Sequence, residues 1–133
     1  MIEYGIEEVV STVHEVEKLY KTDLRERLLD FSVNVIHFLS TINGFKEYDV
    51  FRYQLSKSAT SIGANYEEAQ TSTYKEFVNR IRISLREAIE TLYWLRIIDR
   101  LNIGNHAKRE ELLQESSEIT RIFGAILTKI QSR

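Results

Sequence analysis

Apolar residues along this chain recur at helical rather than strand spacing. Leu24, Leu28, Phe31, Val35, Phe38 and Ile42 step by 4, 3, 4, 3, 4. Ahead of them Thr22 and Asp23 can cap, with Glu26 reaching back, and Asn43-Gly44 is a stop. Asp49 can cap a second helix with the stripe Leu55, Ala59, Ile62, Tyr66 and Ala69. After a short turn at Gln70 to Ser72, Thr73 and Glu76 form a capping box for a third, striped by Phe77, Ile81, Leu85, Ala88, Leu92 and Leu95 and closing near Asn102 and Gly104. A fourth runs from about Asn105 through Leu112, Ser116, Ile119, Phe123, Ile126 and Ile130. Four amphipathic helices joined by short loops predict an all-α, up-down-up-down four-helix bundle.

An extra N-terminal helical segment precedes it, with apolar positions at Ile6, Val9, Val13, Val16 and Tyr20. No Gly or Pro lies between residues 6 and 43, so the segment can stand alone or extend the first long helix; a slip in spacing favours a break near Lys21-Thr22. The expected organisation is one domain over 1–133, with 1–21 an extension and 22–131 the bundle. Zero prolines and five glycines in 133 residues agree with a chain that is nearly all helix.

Two helices carry more pattern than a core stripe needs. On the second, Ser56, Thr60, Gly63 and Glu67 share one side, a strip that lets another backbone approach closely; packing inside the bundle competes with a site or subunit contact. Gln54, Ser58, Ser61, Asn65 and Glu68 share another side. Facing Arg80, Ser84 and Glu87, they form either an interhelical hydrogen-bond network that fixes register or a polar pocket for acid-base work, and the network is favoured.

The third helix shows three faces. Lys75, Arg82, Arg86, Tyr93 and Arg100 lie about 100° to one side of the core stripe, and Ile83, Glu87, Glu90, Trp94 and Ile97 lie on the other. Large apolar groups rimmed by charge mark an interaction surface, so the second set is the candidate oligomer interface. The alternative is that Trp94 packs beneath the N-terminal segment. Opposite charge on the two faces suggests that Arg82 and Arg86 of one subunit meet Glu87 and Glu90 of the next, a heterologous contact that can close into a ring. Leu29, Val33 and Ile36 on the first long helix form another strip outside the core.

Chemistry-bearing patterns are sparse. His14, His37 and His106 sit on separate elements, with no Glu-x-x-His or His-x-x-x-His pair, so neither a di-iron nor a zinc site is expected. The chain has no phosphate-cradling glycine loop, no GxSxG elbow and no Ser or Thr with an evident His partner. No catalytic residue, cofactor or small-molecule substrate is assigned, and a non-enzyme is expected. Zero cysteines remove thiol chemistry and suit a reducing compartment. With no apolar run near 18 residues and an acidic start at MIEYGIEEVV, no membrane association and a cytoplasmic location are expected. The net charge of −2 gives no global basic field. The basic set on the third helix is therefore the candidate nucleic-acid surface, the alternative to a self-assembling scaffold.

DLRERLLDFSVNVIHFL, SATSIGANYEEA and ETLYWL resemble the four-helix-bundle proteins called 23S rRNA-intervening-sequence proteins, over about residues 23 to 130. The resemblance implies a small helical bundle assembling as a homopentameric ring, with an activity that is unassigned; related accessory proteins of diversity-generating retroelements bind nucleic acid and a reverse transcriptase. The motif residues carried over are Gln54, Ser58, Ser61, Gly63, Asn65, Tyr66, Glu68, Ala69, Phe77, Glu87, Glu90 and Trp94. This chain departs by being slightly acidic, with Glu67 and Gln70 where related sequences often carry arginine, so the resemblance supports a ring more than RNA binding.

Overall fold

The computed structural model describes residues 5–132. Five helices follow one another: α1 (Ile6–Tyr20), α2 (Leu24–Leu39), α3 (Asp49–Ala69), α4 (Tyr74–Leu101) and α5 (His106–Gln131). Helices α2 to α5 alternate in direction around a square, with α2 against α3, α3 against α4, α4 against α5, and α5 back against α2. Helix α1 packs on α5 and on α4. The expected stripes form the core: Leu28, Phe31, Val35 and Phe38, Leu55, Ala59 and Ile62, Phe77, Ile81 and Leu95, and Ile119, Phe123 and Ile126 are all buried, while Leu85 and Leu92 are half-buried. From α1 come Val9, Val13 and Val16.

Caps account for most boundaries. Helix α1 ends at Lys21 in the left-handed region (φ 52°), and α2 starts afresh with Asp23 accepting from the Glu26 amide. Glu17 of α1 accepts from the Leu24 amide at 2.8 Å, so two separate helices share one corner. Thr73 and Asn105 cap α4 and α5 through the Glu76 and Lys108 amides.

Two boundaries differ from the sequence expectation. Helix α2 ends at Leu39, before Ile42, which is buried from a turn and not from a helix. Asp49 does not cap α3: a 3-10 turn over Lys46–Tyr48 runs directly into it, and the Asp49 carboxylate accepts instead from Arg52 at 2.7 Å.

The turn from α4 to α5 is held from within. Arg109 is 2% exposed and donates to Asp99, Asn102 and the carbonyls of Ile103 and Gly104. Gly104 sits at φ +76°, where a Cβ would come within 2.8 Å of the Phe38 ring, so only glycine fits both the backbone and the space.

Candidate functional site

The polar side of α3 is bonded in part to α4 and in part to α3 itself, where Ser61 donates to the Lys57 carbonyl. Thr91 donates to Ser58 at 2.9 Å, and Ser84 donates to the Ile62 carbonyl at 2.9 Å. Arg80 reaches across to Asn65 Oδ1 at 2.8 Å and to Glu68 at 2.9 Å, while Asn65 donates to the Ser61 carbonyl. These bonds tie the two helices in one register, the network expected for this row. Gln54 lies half-buried on the same flank. Burial first, then the neighbouring Glu90 carboxylate, raises the Glu87 carboxyl above its ordinary value, with Lys57 opposing.

Gly63 is explained inside the bundle. A Cβ at this position would lie 3.4 Å from Leu28 Cβ and 3.8 Å from the Leu28 carbonyl, so it marks the close approach of α3 to α2. Outside that approach the two helices leave an open cleft of about 660 Å³, floored by Thr60, Gly63 and Ala64 and edged by Leu29 and Glu26. Arg25 bridges one end of it to Glu67 in a bidentate pair, which holds the Glu67 carboxyl below its ordinary value. Leu29, 59% exposed, continues into exposed Val33 and Ile36.

On α4 the two sequence-assigned faces have different fates. Ile83, Glu87, Glu90, Trp94 and Ile97 are all half-buried. Among the described residues the ring partners of Trp94 lie on α3 and on α4 itself: its indole meets Phe51 of α3 edge-on at 6.3 Å and Tyr93 at 5.6 Å, and donates to Glu90 at 3.2 Å. The bundle itself therefore uses this side of the helix. Lys75, Arg82, Arg86, Tyr93 and Arg100, in contrast, are all exposed.

Sequence reasoning missed two members of that outward face. Arg82, Arg86, Ile89, Tyr93, Arg96 and Arg100 step by 4, 3, 4, 3, 4, and all six are exposed. The spacing was available to find Ile89 and Arg96. Among the described residues none of Lys75, Arg82, Arg86, Arg96 and Arg100 makes a salt bridge, whereas Arg25, Arg27, Arg52, Arg80 and Arg109 all do.

A second cleft, about 740 Å³, opens where Val13, Glu17 and Lys18 of α1 approach Tyr66, Gln70 and Phe77. Burial, before all other causes, raises the Tyr66 hydroxyl out of its ordinary range, so it stays neutral. Among the described residues no group of three or more His, Asp or Glu is placed to hold a metal ion, and no helix is long and apolar enough to cross a membrane.

Fold and surface together define a small all-helical bundle with exposed apolar and basic rows on the outward faces of α2 and α4. The family model for the 23S rRNA-intervening sequence protein matches residues 20–125, and the chain belongs to that family. It is also similar to a crystal structure of a protein of unknown function from the S23 ribosomal protein family, from Bacteroides thetaiotaomicron VPI-5482: 30% identity, TM-score 0.71, with 79% of this chain and 98% of that one covered. A comparison with curated proteins finds no match.

Proposed function

We propose that this protein is a non-enzymatic, self-assembling bundle, a homo-oligomer with a pentameric ring as the favoured form, acting as a scaffold or accessory to another macromolecule. One observation carries the reading: Leu29, Val33 and Ile36 on α2, and Ile89 and Tyr93 on α4, remain exposed at helical spacing after the core is complete. Exposed apolar rows rimmed by charge suit a protein surface better than water. The interface assigned from sequence, Ile83, Glu87, Glu90, Trp94 and Ile97, stays in the proposal as the half-buried margin of the α4 surface. Light scattering at micromolar concentration should report a multiple of 15.7 kDa. A mass of one chain at every concentration rejects the reading.

A second reading rests on five exposed cations of α4, Lys75, Arg82, Arg86, Arg96 and Arg100, which make no salt bridge among the described residues, with Tyr93 beside them. It makes the protein an accessory that binds rRNA or DNA through phosphate contacts, multiplied wherever the chain is repeated in an assembly. Binding of rRNA fragments or duplex DNA should then weaken steeply as salt rises. No binding at low salt removes it.

A further inference from the structure

We infer that the outward face of α4 docks along the outward face of α2 in a neighbouring copy, with the two helices parallel and in one defined register. This rests on the assembly proposed above and specifies its contact.

The two faces match position by position. On α4 the exposed residues Arg82, Arg86, Ile89 and Tyr93 step by 4, 3, 4; on α2 the exposed residues Glu26, Asp30, Val33 and His37 step by 4, 3, 4 as well. Laid parallel, two arginines one helical turn apart meet two carboxylates one turn apart, and Ile89 then falls beside Val33. Laid antiparallel, the charges still meet, but Ile89 runs past the start of α2. Steps of 4 and 3 are those of a seam between two packed helices. Glu26, Asp30, Arg82 and Arg86 make no salt bridge with any described residue, so all four are available.

Glu87 and Glu90, the carboxylates suggested by the sequence, are less well placed. They are half-buried, and Glu90 already accepts from Trp94. The cleft beside Leu29 gives the seam depth, because its small-residue floor admits side chains that straddle it.

Parallel pairing has a geometric consequence. Helices α2 and α4 both run antiparallel to α3, as the pairs Arg25–Glu67, Arg80–Asn65 and Thr91–Ser58 show, so they share one direction within a chain. A copy whose α4 lies parallel to its neighbour's α2 is therefore related to it by rotation about an axis along the bundles. Repeated, that operation stands the bundles side by side as staves, and it closes as a ring where the rotation divides a full turn.

The absence of cysteine from the chain makes a clean test available. Val33→Cys combined with Ile89→Cys should, on mild oxidation, give covalent oligomers up to the full assembly. The two positions lie on opposite corners of one bundle and cannot join within a chain. Either single substitution should give no such ladder. Arg82→Glu with Arg86→Glu should reduce the mass to one chain, as should Glu26→Arg with Asp30→Arg, and the four together should restore assembly. All four positions are exposed, so folding is retained and is checked by circular dichroism. A wild-type protein that is monomeric at every concentration rejects the assembly reading and this contact with it. An assembled protein that neither cross-links nor responds to charge reversal rejects the contact alone. If Arg82→Glu with Arg86→Glu leaves the mass intact but abolishes binding of an rRNA fragment, the face belongs to nucleic acid and the contact is overturned.

Discussion

Helix α4 has two sides that treat charge in opposite ways. Toward α3, Arg80, Ser84 and Thr91 each find a partner on the neighbouring helix. Away from the core, Arg82, Arg86, Arg96 and Arg100 are exposed and find none among the described residues. Buried polar groups left unpartnered cost free energy, so the inward side is tied to the fold, whereas solvated cations cost little and remain available for something outside the chain. The contrast separates residues that hold the bundle from residues that can serve it, and substitutions on the two sides should separate in the same way.

The largest contrast pits Arg109 against Arg100. Arg109→Met should cost about 2–3 kcal/mol in urea unfolding, because the Ile103 and Gly104 carbonyls and Asn102 lose their donor together. Arg100→Met should leave the unfolding midpoint of the isolated chain unchanged. Equal losses in the two variants would erase the distinction. Gly104→Ala comes next, at about 2 kcal/mol, since it combines left-handed backbone strain with a Cβ pressed on Phe38. Thr91→Val should cost about 1 kcal/mol by leaving Ser58 without its donor. A stability as high as the wild type would mean that the α3–α4 register does not depend on that bond.

Much of the frame could be read from spacing and caps. Thr73 and Asn105 each mark a real boundary, because capping is a local transaction between a side chain and amides three residues on, and the slip in apolar spacing marks the break at Lys21, where the backbone turns left-handed. What escaped is non-local. Ile42 keeps the step of α2 while leaving the helix, since burial constrains where a side chain ends up and not which turn carries it. Trp94 looked surplus on its own helix, because its cover, Phe51, lies on another. The match in spacing between Glu26 and Asp30 on α2 and the α4 stripe gained meaning only from the placement of α2 and α4 on opposite corners, both antiparallel to α3.

The smallest effect tests the margin between the two sides, at Glu87. Burial and the Glu90 carboxylate raise its folded-state pKa above the ordinary 4.5, despite Lys57. The ionised form is thus disfavoured in the fold relative to the unfolded chain. The resulting destabilisation is fully present above the folded pKa, shrinks as pH falls through it, and is gone below the ordinary value. Glu87→Gln should therefore be slightly more stable than the wild type at neutral pH, by no more than ~0.5 kcal/mol, as for substitutions outside a core. That advantage should vanish on acidification toward 4.5. Glu67 acts in the opposite sense and in a lower window: its pKa is depressed by Arg25, so its contribution is present above the ordinary value and lost as pH falls through the folded one. Unfolding curves of wild type and Glu87→Gln taken from pH 7 downward should converge before the Glu67 loss begins. Parallel curves over that whole range would place Glu87 with the freely solvated charges of the outward face.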